Sequence, residues 1–169
     1  MVIVYASNTG YTKEYAKILM KEFDVPAYSY DNIPEVHHGH DVVYLGWIMA
    51  GNIYGYSKVA KLANVICAIG VGMSPEDPEM ADKLREKTKI PAEVPVFYVQ
   101  GGYDNSKLKG GYKLIMKGIA AGIKKKMEKE PEEERDDATW KMVNGGYSAV
   151  SPERLADAIA CIKELTDNK

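Results

Sequence analysis

The sequence has little of several features that mark specialised classes of protein. Its two cysteines, Cys67 and Cys161, lie far apart in a chain of 169 residues, and we expect buried thiols rather than a disulfide or a nucleophile. A net charge of −2 does not favour nucleic acid as a partner. No apolar run approaches the roughly 20 residues of a transmembrane helix. The first residues carry no secretory signal pattern, so we expect a cytoplasmic protein.

Short apolar runs alternate with amphipathic helical patterns along the chain. Apolar runs predict five strands, at 2–6, 25–30, 41–46, 65–72 and 94–100. Helical periodicity predicts helices at 12–23, at 58–63, from Ser74 to about Lys87, and from Ser151 onward. This alternation is typical of an α/β fold with a parallel sheet and helices on both faces. We find no linker or internal repeat, and we expect one domain over residues 1–169.

The segment SNTGYT (residues 7–12) lies between the first strand and the first helix. The first amides of a helix lack internal partners and carry partial positive charge, so they suit a phosphate. The hydroxyls of Ser7, Thr9 and Thr12 add donors, and Gly10 lets the backbone curl close to an anion. Neither GxxxxGK[ST] nor GxGxxG is present, so the pattern favours a terminal monophosphate. The alternative is a capped helix that follows a hydroxyl-rich turn.

This segment resembles the flavodoxin fingerprint [ST]-x-T-G-x-T, which binds the phosphate of flavin mononucleotide (FMN) in that family. Ser7, Thr9, Gly10 and Thr12 fall on its fixed positions. The resemblance implies a flavodoxin-like three-layer sandwich whose five-stranded parallel sheet has the order 2-1-3-4-5. It also implies a ligand at the carboxyl ends of the strands.

Two further loops are expected to contact the flavin, since they follow the third and fifth predicted strands. Gly46–Gly55 and Gln100–Asp104 each combine small residues with aromatic ones that can stack on a flat ring. By the resemblance, Trp47 or Tyr54 would cover one face of the ring, Tyr103 the other, and amides near Gly101 would meet the pyrimidine edge. The residues expected to bind FMN are Ser7, Asn8, Thr9, Gly10, Tyr11, Thr12, Trp47, Met49, Ala50, Gly51, Asn52, Tyr54, Gly55, Gly101, Gly102, Tyr103 and Asp104.

An insertion at about 103–145 follows the last predicted strand. It is similar to the group of flavodoxin-domain proteins that includes menaquinone-dependent protoporphyrinogen oxidase, where a lysine-containing helix stands in a similar place. Three interpretations of its 107–127 helix remain open. It packs on the domain with its lysines in water, it meets an anionic membrane as a basic amphipathic helix, or it forms a homodimer contact.

The sequence thus favours an FMN-binding redox protein, either an electron carrier or a small FMN-dependent oxidoreductase. Its partner would be a redox protein or a small-molecule acceptor of quinone or porphyrinogen type. The alternative is a flavodoxin-like binding module without turnover. No catalytic residue and no metal site is predicted, because the cluster His37-His38-Gly39-His40 is typical of an exposed turn.

Overall fold

The computed structural model describes residues 1–35, 39–104, 106–108, 111–129 and 146–167, without the side chains of residues 33–35, 112, 116 and 119. The predicted turn at His37 and His38 and residues 130–145 of the predicted insertion lie outside the described residues. The strands are β1 (Val2–Ala6), β2 (Ala27–Ser29), β3 (Asp41–Met49), β4 (Asn52–Ile53), β5 (Asn64–Gly72), β6 (Val96–Gln100), β7 (Gly102–Tyr103) and β8 (Tyr147–Ser148). The helices are α1 (Tyr11–Phe23), α2 (Tyr56–Val59), α3 (Met80–Thr88), α4 (Gly111–Met127) and α5 (Ala156–Asp167), with 3-10 helices at Tyr30–Glu35 and Pro152–Leu155.

A mostly parallel sheet forms the centre of the molecule, as the alternating sequence pattern predicts. Its strand order is β2-β1-β3-β5-β6, and every neighbouring pair in that order is parallel. The short β4 lies off this path and pairs antiparallel with β3. The predicted sheet of five parallel strands therefore gains a sixth, antiparallel strand.

Helices cover both faces of the sheet, and each face has its own buried cluster. On one face, Tyr15 of α1 and Ile162 of α5 pack with Ile3 of the sheet, and all three are fully buried. On the other, Val59 of α2 and Leu84 of α3 pack against alternate sheet residues such as Tyr44. Strands buried on both sides explain the continuous apolar runs in the sequence.

Strand β3 is longer than predicted and continues into a tight hairpin. It runs to Met49 rather than Gly46, and Met49 pairs with Asn52 of β4. The two turn residues, Ala50 and Gly51, have φ angles of 49° and 81°, the left-handed conformation that two-residue hairpins require. Part of the glycine-rich stretch that the sequence indicates as a loop is thus regular structure.

Helix α3 begins six residues later than predicted, at Met80 rather than Ser74. Pro78 disfavours a helical conformation at Asp77, which precedes it. The Asp77 carboxylate instead accepts a hydrogen bond from the amide of Glu79 at 2.9 Å. The proline therefore delays the helix by most of two turns.

The insertion leaves and re-enters the domain at one place. Gly102 pairs with Ser148 and Tyr103 with Tyr147 in an antiparallel β7–β8 ladder just beyond β6. The amide of Ala149 also donates to the carbonyl of Gly101 at 2.7 Å. Within the described residues, α4 lies between these two strands in sequence, so the ladder anchors it beside the carboxyl end of the sheet.

Candidate functional site

Parallel register brings the carboxyl ends of the central strands to one edge of the sheet. Ala6 of β1 lies beside Gly46 of β3, and Gly46 beside Gly70 of β5. The segments that follow these strands surround a cleft of about 550 Å³. In parallel α/β sheets this edge is where ligands bind, which makes the cleft the candidate site.

The polar end of the cleft is the SNTGYT loop, and Ser7 organises it. Its Oγ accepts hydrogen bonds from the amides of Gly10 at 3.1 Å and Lys13 at 3.4 Å. Gly10, the residue before α1, has a φ of 100°, which favours glycine, and the first-turn amide of Lys13 is capped by Ser7 rather than by the N-cap residue. Ser7 therefore closes the loop internally and does not line the cleft.

Thr9 and Thr12 line the cleft with Asn8. Thr12 is 2% exposed as a whole residue, and neither threonine hydroxyl has a hydrogen-bond partner among the described residues. Since no fully buried side-chain oxygen in that part of the chain lacks a partner, the Thr12 hydroxyl oxygen is accessible from the cleft. The amides of Tyr11 and Thr12 also have no backbone acceptor there, since Glu14 is the first residue of α1 whose amide reaches back to a carbonyl, that of Gly10. Hydroxyls and free amides at a helix N-terminus can together hold an anion.

Trp47 provides an aromatic wall of the cleft, and Tyr54 lies behind it. The two ring centroids are 5.1 Å apart with an angle of 31° between the planes. Tyr30 contacts Tyr54 edge-on at 5.7 Å, and Lys58 Nζ lies 4.8 Å from the centroid of the Tyr30 ring. Of the two aromatics expected at the same face of a flavin, Trp47 lines the cleft and Tyr54 does not.

The segment that follows β6 forms another wall of the cleft, and the backbone groups of Gly101 in it already make hydrogen bonds within the protein. The Gly101 amide donates to the carbonyl of Gly72 at 2.7 Å, so it is not available to a ligand. Gly102 allows both β8 and the ring of Tyr11 to approach closely, because a Cβ there would overlap the carbonyl oxygen of Tyr147 and lie 2.9 Å from the Tyr11 ring. Tyr103 is 1% exposed and lines the cleft.

Apolar side chains that the sequence analysis did not select form much of the cleft. They come from the ends of β3 and β5, from α3, from β6 and from the insertion. These residues are Ile48, Val71, Met73, Met80, Tyr98, Leu108 and Ile115. Tyr98 is held in place because its hydroxyl donates to the carbonyl of Ser74 at 2.5 Å. The cleft is thus polar at the SNTGYT loop and largely apolar beyond it.

Lys107 supplies a positive charge beside the polar end. Its Nζ lies 5.1 Å from the centroid of the Tyr11 ring and 3.6 Å from a carboxylate oxygen of Asp104. Hydrogen bonds from Ser106 and the charge of Lys107 lower the pKa of Asp104. Burial and then the Asp104 carboxylate raise the pKa of Tyr11, so the phenol stays neutral. No sequence pattern marked Lys107, because the insertion brings it to the loop from about 100 residues away.

The structure gathers about half of the predicted site residues around the cleft. Those that line it are Asn8, Thr9, Tyr11, Thr12, Trp47, Met49, Ala50, Gly102 and Tyr103. Those that do not are Ser7, Gly10, Gly51, Asn52, Tyr54, Gly55, Gly101 and Asp104. Gly55 has a packing role, since its φ is 84° and a Cβ there would overlap the hydroxyl of Tyr44.

Among the described residues, no group of three or more histidine, cysteine or acidic side chains is arranged to hold a metal ion. In the same part of the chain, no helix has the length and apolar character needed to cross a membrane. Comparison with known proteins gives no match to a family model, to a curated protein or to a solved structure.

Proposed function

We propose that this chain is a redox protein with a flavodoxin-like fold that binds FMN in the cleft at the carboxyl edge of its sheet. One observation carries the proposal: a single cleft joins a helix N-terminus to an apolar region that contains Trp47, and two threonine hydroxyls at that N-terminus have no partner in the part of the chain that the structure describes. FMN has the same two parts, a phosphate and a flat apolar ring. When the short antiparallel β4 is left out, the five parallel strands lie in the order second, first, third, fourth and fifth, and this order supports the flavodoxin-like part of the proposal.

The residues of the cleft fit the group. Thr9, Thr12 and the free first amides of α1 would donate to the phosphate. Lys107 would add a positive charge from the insertion. Trp47 would offer its indole to the ring, and the apolar side chains around it would exclude water. When bound, FMN supplies electron transfer, and the protein supplies position and polarity.

The polarity of the cleft and the charge of Lys107 would also set the reduction potential of a bound flavin. An apolar environment disfavours an added negative charge, whereas a nearby cation favours it. The described residues that line the cleft include no Asp, Glu, Lys or Arg. Lys107 does not line the cleft, and its Nζ forms an ion pair with Asp104 at 3.6 Å. Its effect on the reduction potential of a bound flavin would therefore be moderate.

Uptake and reversible reduction of FMN test this proposal. The protein is dialysed against FMN, separated from free flavin, and examined by visible absorption before and after anaerobic reduction with dithionite. We expect bound flavin that is reduced and then reoxidised by air while it stays with the protein. Failure to retain FMN would overturn the cofactor assignment. FMN that binds but is released on reduction would favour a binding module without turnover.

A further inference from the structure

The exposed large apolar side chains of the described residues cluster at the mouth of the cleft. They are Met73, Leu114 and Ile115, which are 39%, 77% and 58% exposed. Met73 and Ile115 also line the cleft, and Leu114 is the neighbour of Ile115 on α4. Large apolar side chains that are exposed to solvent beside a candidate site indicate a surface that binds another molecule.

Helix α4 carries charge of one sign only. Its sequence from Gly111 to Met127 contains lysines and no acidic residue. The lysines are Lys113, Lys117, Lys124, Lys125 and Lys126, and all are exposed. The last three lie at the helix C-terminus, where they also complement the helix dipole. This helix therefore differs from the nearly neutral chain as a whole.

The side of α4 that faces away from the domain carries a short stripe of one large apolar and two small residues, and the exposed Lys125 follows it at the same spacing. Ala120 and Met127, 6% and 5% exposed, mark the side that faces the domain. Leu114, Gly118 and Ala121 follow one another at steps of four and three residues on the other side, and all three are exposed. Among the described residues, no atom lies within 4 Å of a Cβ placed on Gly118, so no described side chain covers the stripe at that point.

We propose that α4 is a peripheral membrane-binding helix that rests on an anionic lipid surface with the mouth of the cleft turned toward the lipid. Leu114 and Ile115 would enter the apolar boundary of the bilayer, while the lysines meet anionic headgroups. This function goes beyond flavin binding and does not depend on it.

Two features of the helix favour lipid over a protein surface. A symmetric contact between the α4 helices of two copies would bring lysines near lysines without an acidic partner on either helix, which is repulsive. A protein interface of standard size buries roughly 800 Å² on each partner and needs a closely complementary surface. A lipid surface needs no complementary shape, and apolar insertion plus basic charge suffices.

The test is flotation of the 169-residue chain with vesicles at low salt. Vesicles of phosphatidylcholine alone are compared with vesicles that contain about one-third phosphatidylserine. We expect binding to the anionic vesicles only, with loss at high salt because exposed charges are screened. Absence of binding to anionic vesicles at low salt would overturn the proposal, as would equal binding to both kinds of vesicle.

Two variants and a charge-matched control locate the contact. Lys124→Glu/Lys125→Glu/Lys126→Glu and, separately, Leu114→Ser should each reduce the bound fraction by at least about tenfold. The control Lys17→Glu/Lys21→Glu/Lys61→Glu changes charge equally at exposed lysines away from α4 and should bind as the native protein does. Circular dichroism checks that each variant is folded.

Vesicle binding that survives both α4 variants would contradict the proposal. A dimer in sedimentation that Leu114→Ser breaks, without vesicle binding, would assign the face to a second copy instead.

Discussion

The indole of Trp47 stacks on the ring of Tyr54 at a centroid distance of 5.1 Å, and of the two only Trp47 lines the cleft. Tyr54 is itself held from behind, because Tyr44 donates a hydrogen bond of 2.5 Å to its carbonyl. The stack therefore fixes the orientation of Trp47 before any ligand arrives. Because Trp47 is already held in one orientation, a ligand that stacks on it would lose little binding free energy to the ordering of this side chain.

Replacing Trp47 should weaken flavin binding whether or not the flavin carries a phosphate. Trp47→Leu removes a stacking contact worth about 0.5–1.5 kcal/mol, so affinity for FMN and for riboflavin should each fall by about two- to tenfold. Tyr54→Leu is the matched comparison and should have a smaller effect, since Tyr54 lies outside the cleft. Fluorescence titration measures both. Equal losses in the two variants would mean that Trp47 does not contact the ring.

Removing the threonine hydroxyls should affect FMN alone. Thr9→Ala/Thr12→Ala deletes two charge-assisted hydrogen bonds of roughly 1.5–3 kcal/mol each, so FMN affinity should fall by at least about tenfold. Riboflavin, which is FMN without its phosphate, should bind the variant and the native protein equally. Thr166→Ala serves as the control, because that hydroxyl already donates to helix α5 carbonyls and does not line the cleft. Unchanged FMN affinity would refute the phosphate role of the loop.

Lys107 should contribute a salt-sensitive part of FMN affinity. Its side chain is 49% exposed, so Lys107→Gln should weaken FMN binding by only about two- to fivefold at low salt. The effect should vanish at high salt, because screening removes the interaction in the native protein too. Lys113→Gln, an exposed lysine on α4, is the control. A loss that persists at high salt would show that Lys107 acts by packing rather than by charge.

Tyr15 should make stability depend on pH in the alkaline range. Its hydroxyl donates to the carbonyl of Gln100 at 2.6 Å and ties α1 to the end of β6. Burial raises the pKa of Tyr15 from 10.0 to about 12. The unfolded chain therefore loses this proton first, and the stability contribution is complete below pH 10.0 and lost as pH rises toward about 12.

Urea unfolding of the native protein and of Tyr15→Phe measures this effect. Near neutral pH the variant should be less stable by about 0.5–1.5 kcal/mol, the value of a typical hydrogen bond. The difference should shrink from about pH 10 upward, by no more than about 1.4 kcal/mol per pH unit. A difference that stays constant over that range would show that Tyr15 has an ordinary pKa in the folded protein.

The sequence predicts the central layers well because their pattern is set by burial. Runs such as Val2–Ala6 and Asn64–Gly72 are buried on both sides, and their apolar composition is visible in the sequence. The β3–β4 hairpin was missed because its turn, Ala50-Gly51, lies in a stretch whose glycines are equally typical of an irregular loop. The start of α3 was misplaced because Ser74-Pro75-Glu76 satisfies the rules for a helix start, while Pro78 overrides them.

The polar end of the site was predictable and the apolar end was not. Residues 7–12 are contiguous, so their hydroxyls and glycine form a pattern that local reasoning can detect. Met73, Met80 and Ile115 come from three separate elements and look like ordinary core residues in the sequence. Only the register of the sheet and the β7–β8 ladder bring them to one cleft.

The most direct test of the central claim is a titration of the protein with FMN and, separately, with riboflavin, followed by flavin fluorescence. The two ligands differ only in the phosphate, so the ratio of their affinities measures what the SNTGYT loop contributes. We predict that FMN binds about 100-fold more tightly, the effect of roughly 2.7 kcal/mol of charge-assisted hydrogen bonding. Equal affinity would contradict the phosphate site, and absence of binding by either ligand would contradict the flavoprotein assignment itself.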